Sequence, residues 1–221
     1  MNASALQRLP VILLAAALLA TTVVIVLTLT RRNEAGVPQL RRGTEQPDVR
    51  IALPPFSLTD TTGRPFGSEQ LKGTIWIADF IFTRCGGPCP AMTTQMAGLQ
   101  QRLRSHRRWA DIRLVSVSVD PGFDTPQVLA DYARRYQADP DHWRFLTGTQ
   151  QQVWTLIRNG FKLPVFENTE NASMPIVHSQ KFVLVDRDGN IRGYYEGLDE
   201  QQRAELLNAL EQVLGEITKP E

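Results

Sequence analysis

The stretch "TIWIADFIFTRCGGPCPAMTTQM", residues 74 to 96, constrains the fold of this chain more than any other. Its first ten residues are apolar, β-branched and aromatic, the composition of a short strand buried on both faces. Met92, Met96, Leu99 and Leu103 then recur at three and four residues, which predicts a helix starting close to Cys89 or Pro90. Gly86, Gly87 and Pro88 shape the turn between them, and the only two cysteines of the 221 residues, Cys85 and Cys89, flank that turn. A buried strand passing directly into an amphipathic helix is the opening of a parallel crossover unit.

The alternation continues. "IRLVSVSVD" (112 to 120) reads as a strand, and Thr125 with Pro126 supplies an N-cap and first position for a helix through Tyr136. "WRFLTG" is a further strand, followed by a helix from Thr149 to Phe161 and a loop rich in Pro, Asn and Glu. "SQKFVLVD" and "IRGYYEG" are joined by "RDGN", and Asp-Gly between two such runs signals a hairpin. The last helix has Asp199 and Gln202 at capping-box spacing, with Ala204, Leu207, Leu210, Leu214 and Ile217 along one face. Strands separated by helices and then a late hairpin predict an α/β fold with a mixed central sheet. A strand-to-helix turn that carries two cysteines in such a sheet points to a thioredoxin-like fold.

A different kind of sequence comes first. From Leu9 to Leu29 the chain is free of charge and long enough as a helix to cross a bilayer core of about 30 Å. A cleaved signal peptide has a shorter apolar region and a small-x-small site, so the reading is an uncleaved single-pass transmembrane helix. The expected organisation is a membrane anchor at 1–32, a tether at 33–50 and a thioredoxin-like domain at 51–221. Arg8 precedes the apolar run, whereas Arg31, Arg32, Arg41 and Arg42 follow it, so basic flanks alone would keep the domain cytoplasmic. With 24 basic and 23 acidic side chains, the chain has no long-range field that would favour nucleic acid.

Two cysteines are too few for a disulfide scaffold, so their role is chemical. The N-terminus of a helix favours a thiolate, and the pair could serve as a redox disulfide or as soft metal ligands. Asp79 interrupts the apolar strand six residues before Cys85. It is either a buried carboxyl with a raised pKa, able to relay protons to the thiols, or a water-bound acid at a strand bend. Met92 and Met96 read as core, and His106 and His142, set among charged residues, read as solvated. A peroxidase motif would want a threonine three residues before the reactive cysteine, whereas Thr83 lies two before Cys85. A tethered interaction domain without metal or redox chemistry would require both cysteines to be inert and buried.

"FTRCGGPCP", then "VSVDPGFDT", then "VHSQKFVLVD", in that order, resemble the SCO/SenC family of membrane-anchored, thioredoxin-like copper chaperones for cytochrome c oxidase. The resemblance implies copper bound by Cys85, Cys89 and His178, as Cu(I) or Cu(II), with a Cys85–Cys89 disulfide switching binding off. It also implies that Asp120 and Asp124 fill an acidic motif and that a copper-receiving oxidase subunit is the partner. The domain would lie outside the cytoplasm, in a periplasm or its equivalent, despite the arginines. A helix cap at Thr125 is the other use for the two aspartates. Thiol:disulfide exchange on a partner's cysteines, such as those of the oxidase copper site, is the other function. His178 separates the two functions, because copper binding needs it and exchange does not.

Overall fold

The computed structural model describes residues 49–171 and 174–216, all within one compact unit spanning Gln46–Glu221. The expected membrane helix, nearly all of the tether and Ile217 lie outside the described residues. Among the described residues no helix is long and apolar enough to cross a membrane.

Among the described residues ten strands form: β1 (Ile51–Ala52), β2 (Ser57–Asp60), β3 (Pro65–Gly67), β4 (Ile75–Ile81), β5 (Ile112–Ser118), β6 (Trp143–Thr147), β7 (Val165–Glu167), β8 (Ile176–His178), β9 (Lys181–Val185) and β10 (Asn190–Glu196). Among them run α1 (Ser68–Leu71), α2 (Cys89–Leu103), α3 (Pro126–Arg135), α4 (Gln150–Thr155) and α5 (Glu200–Gly215). Eight strands make one sheet in the order β1-β10-β9-β4-β5-β6-β2-β3. β4, β5 and β6 are parallel, and β9 and β10 return antiparallel on the far side of β4. This is the expected mixed sheet of a thioredoxin-like fold.

β4 is central because all seven of its residues are buried, as a strand covered on both faces requires. Its alternate side chains divide the core. Trp76 and Phe80 point to one face, where both meet Phe161 edge-on at ring distances of 6.0 and 5.0 Å. Ile77, Asp79 and Ile81 point to the other, toward α2 and α3. Those two helices are joined by the 2.8 Å Thr93–Tyr132 hydroxyl contact. Met92, Met96, Leu99 and Leu103 are buried as their spacing predicts.

The structure departs from the sequence reading in four places. β2 and β3 form a hairpin at the sheet edge beside β6, where no strands were expected; "SLTDTTGRPFG" has too few apolar residues to show a period. The helix from Thr149 is regular only to Thr155, then widens into a π turn over Leu156–Gly160 that delivers Phe161 to the core. α5 buries Leu206, Leu210, Val213 and Leu214 with Leu207 half-buried beside them, so the expected face is met at Leu207, Leu210 and Leu214, while Ala204 is exposed and Leu206 and Val213 widen the inner face. Its capping box is only half made: Asp199 accepts from the Gln202 N–H, but the Gln202 side chain turns to the Glu196 N–H. The fourth departure concerns His178. It does not open a strand of the main sheet but closes β8, paired with β7 in a separate two-stranded hairpin.

Phe161 carries the face of the sheet opposite α2, and Tyr194 donates its hydroxyl to the Phe161 carbonyl at 3.0 Å. Phe161→Ala is expected to lower stability by roughly 3–5 kcal/mol, read as a reduced denaturant midpoint with an unchanged slope.

Candidate metal centre

The strand, turn and helix first read from residues 74 to 96 converge with the β7–β8 hairpin at the C-terminal end of β4. Cys89 is the first residue of α2 and is fully buried, while Cys85, in the preceding turn, is 7% exposed. Both are free thiols. The Gly87 N–H donates to Cys85 Sγ at 3.4 Å. Burial, with the Cys85 side chain as a nearby partner, holds the Cys89 thiol far above its ordinary pKa. Cys89 therefore keeps its proton at neutral pH.

His178 reaches Cys89 from the hairpin. Its Nε2 lies 3.3 Å from Cys89 Sγ, and its Nδ1 lies 3.0 Å from the Ser179 carbonyl. A carbonyl only accepts, so Nδ1 carries the ring proton and Nε2 turns a lone pair toward the thiol. Burial pushes the His178 pKa down, which keeps the ring neutral and able to donate that pair. Phe82 packs edge-on to the imidazole at 5.7 Å and fixes its plane. Two of the three expected ligands are thus in direct contact and the third adjoins them. Among the described residues no three His, Cys, Asp or Glu side chains already enclose a common metal position.

The acidic motif sits beneath the same loop. Asp124 is fully buried, accepting from the Thr83 N–H at 3.1 Å, the Thr83 hydroxyl at 2.5 Å and the Ser118 hydroxyl at 2.5 Å. Burial raises its pKa and these donors oppose the rise. Asp120 pairs with Arg84 at 2.6 Å, and the Arg84 guanidinium lies over Phe123 at 5.0 Å. Neither aspartate caps α3; the Thr125 hydroxyl does, accepting from the Val128 N–H. Their contacts are with Thr83 and Arg84, the two residues before Cys85. Sequence reasoning missed Thr83, Arg84 and Ser118 in these roles, because the pairings run 36 and 41 residues along the chain between Arg84 and Asp120 and between Thr83 and Asp124.

Asp79 is fully buried on β4, and neither of its oxygens has a hydrogen-bond partner among the described residues. Its register neighbour Ser116 instead receives the Trp143 indole N–H at 2.9 Å. Desolvation therefore dominates and pushes Asp79 up to about 7. Its place in the middle of a fully buried central strand removes the edge or strand-bend setting that the alternative reading required. Met92 and Met96 are core, and Met92 packs where a side chain at Gly197 would stand. His106 pairs with Glu211 at 3.1 Å, and His142 stacks on Trp109 at 4.0 Å. Neither belongs to the site.

The SCO1/SenC family model matches residues 44–215. The SCO1 protein homologue of Bacillus subtilis is 35% identical over 152 residues, covering 68% of this chain and 77% of the relative. A Stutzerimonas stutzeri relative named for copper binding is 34% identical over 168 residues, covering 75% and 76%. Among solved structures, BsSco, described as a member of the Sco family of cytochrome c oxidase assembly proteins with a disulfide switch, superposes with a TM-score of 0.66. It is 31% identical over 77% of this chain and 98% of that one.

Two outcomes test the electrostatics. Between about pH 4 and pH 7 the folded protein keeps on Asp79 a proton that the unfolded chain has released, so stability falls as pH rises through that window. The fall amounts to as much as about 4 kcal/mol and is complete above the folded pKa. Asp79→Asn should remove this contribution to the slope in unfolding measured from pH 4 to 8. Asp124→Ala strands three donors and should cost about 3 kcal/mol, with faster alkylation of Cys85 as the loop loosens.

Proposed function

The chain belongs to the SCO1/SenC family, and from that membership we propose that it is a membrane-anchored copper chaperone serving cytochrome c oxidase assembly. Its cargo is one copper held by Cys85, Cys89 and His178. The observation that carries this reading is the 3.3 Å contact between Cys89 Sγ and the unprotonated Nε2 of His178. It joins a soft sulfur and an imidazole lone pair across 89 residues, and that donor pair together with Cys85 makes the set of two sulfurs and one nitrogen that suits Cu(I). Cys89 must lose its proton when copper enters, so binding releases protons and strengthens as pH rises.

Delivery proceeds by ligand exchange. A thiol or imidazole of the receiving oxidase subunit displaces one donor at a time; an incoming thiol passes its proton to the departing sulfur, a thiolate displaced by an imidazole takes its proton from solvent, and no electron is transferred. An apolar span at 9–29 and a tether at 33–50 would hold the domain near an acceptor in the same bilayer, outside the cytoplasm. Asp124 and Asp120 position the loop through Thr83 and Arg84.

A second reading is favoured by Asp79. A buried carboxyl with a pKa about 7, on the strand that leads into the cysteine turn, suits proton transfer during thiol:disulfide exchange. In that reaction Cys85 and Cys89 lose two electrons and two protons and form a disulfide, while a partner's disulfide opens to two thiols. The two activities are compatible, because the oxidised pair cannot bind copper.

The full chain in detergent, with reduced thiols, is titrated with Cu(I) against a competing chelator. One tightly held copper per chain is expected; Cys85→Ser and Cys89→Ser should abolish tight binding, and His178→Ala should weaken it by about tenfold or more. Weak, nonstoichiometric binding by the parent would overturn the proposal. In parallel, reduction of a disulfide substrate should persist in His178→Ala and fail in either cysteine variant.

A further inference from the structure

We propose that Met174 is a further copper ligand, a thioether that closes over the metal held by Cys85, Cys89 and His178. This rests on the copper reading above and extends it to a sulfur that neither the acidic motif nor the cysteine turn accounts for.

The chain has four methionines. Met92 and Met96 are fully buried core residues, whereas Met174 is only half-buried and lies in the connection between β7 and β8. That connection leads four residues later to His178. Its course there is set by the Met174 N–H donating to the Asn171 carbonyl at 3.0 Å and the Asn168 N–H to the Pro175 carbonyl at 2.7 Å. The side chain lies against the cysteine turn itself. A β-carbon on Gly87 would stand 3.0 Å from Met174 Sδ, closer than to its methyl at 3.5 Å or its γ-carbon at 3.6 Å. The sulfur, rather than the hydrocarbon, is therefore the atom turned to the loop.

Gly87 links the two sulfurs. Its N–H donates to Cys85 Sγ while its α-carbon faces Met174 Sδ, so the two sulfurs are at most about 9 Å apart. Met has three rotatable bonds between its backbone and the thioether, and its flexibility lets it close such a gap by rotamer change. Glycine at 87 is what leaves this approach open, since any β-carbon there would press on the thioether. A neutral thioether is a soft donor that binds Cu(I) without releasing a proton. Joined to two thiolates and an imidazole it completes a set of three sulfurs and one nitrogen. The hairpin thus carries two of the four donors, and the cysteine turn the other two.

The test uses the full chain in detergent, labelled with selenomethionine and loaded with one equivalent of Cu(I). X-ray absorption at the copper edge should show a Cu–Se scattering path, and Met174→Leu should remove it. Leucine keeps the volume of methionine, so a packing role alone would leave affinity unchanged. Loss of the ligand should instead weaken Cu(I) binding about threefold or more against the competing chelator. Stoichiometric Cu(I) binding with no Cu–Se path, and the same affinity in Met174→Leu, overturns this inference while the Cys85, Cys89 and His178 site stands. Failure of the parent to bind Cu(I) stoichiometrically overturns both.

Discussion

The buried carboxylate of Asp124 ties the end of β4 to the end of β5, and the cysteine turn depends on that tie. Thr83 gives it two hydrogen bonds and Ser118 one, so the backbone entering Cys85 is fixed to the neighbouring strand before the glycines begin. Gly86, Gly87 and Pro88 have no side-chain polar groups with which to hold their own conformation. Without an anchor, a turn of that composition would sample many paths at little energetic cost. The ion pair of Arg84 with Asp120 adds a second, more exposed restraint on the same segment. Only the first sits out of water, where a hydrogen bond to an acid is strongest.

Much of the fold could be read from periodicity. The central strand, the three helices at 89–103, 126–135 and 200–215, and the β9–β10 hairpin all carry patterns that leave few alternatives. Gly189 takes the positive φ of 78° that the Asp-Gly turn calls for. What escaped was the structure made by short or polar pieces. β2 and β3 have four and three residues, fewer than a period-2 pattern needs to stand out, and they exist because β6 offers an edge to pair with. The full width of the buried face of α5 escaped for another reason. Leu206 and Val213 share helical spacing with Leu210 and Leu214, and how wide a face a helix buries depends on what it packs against.

The site divides in the same way. Cys85, Cys89 and Asp79 could be singled out because each breaks the chemistry of its neighbourhood: two thiols beside glycines, and one acid in an apolar strand. His178 could not be placed by residue chemistry alone, since a lone histidine has many ordinary uses; the order of three motifs pointed to it, and the fold brought it within 3.3 Å of Cys89. The roles of Thr83, Arg84 and Ser118 were hidden because hydroxyls and guanidinium groups are common, and only the crossing of two parallel strands makes these particular ones converge. Met174 was hidden among residues that read as a loop. Nothing in its local sequence marks a methionine that faces a glycine 87 positions earlier.

β7 and β8 pair only with each other, three residues each, and are not part of the eight-stranded sheet. A hairpin of that size has little stability of its own, so it is held by what it packs on: Val165 and Ile176 are buried in the core, and Arg158 donates twice to the Val165 carbonyl. A metal that bridges the two would act as a clasp, adding to that hold at the His178 end of the hairpin. Grip and local folding then become one equilibrium, in which apparent affinity is the intrinsic affinity scaled by the fraction of time the hairpin is closed.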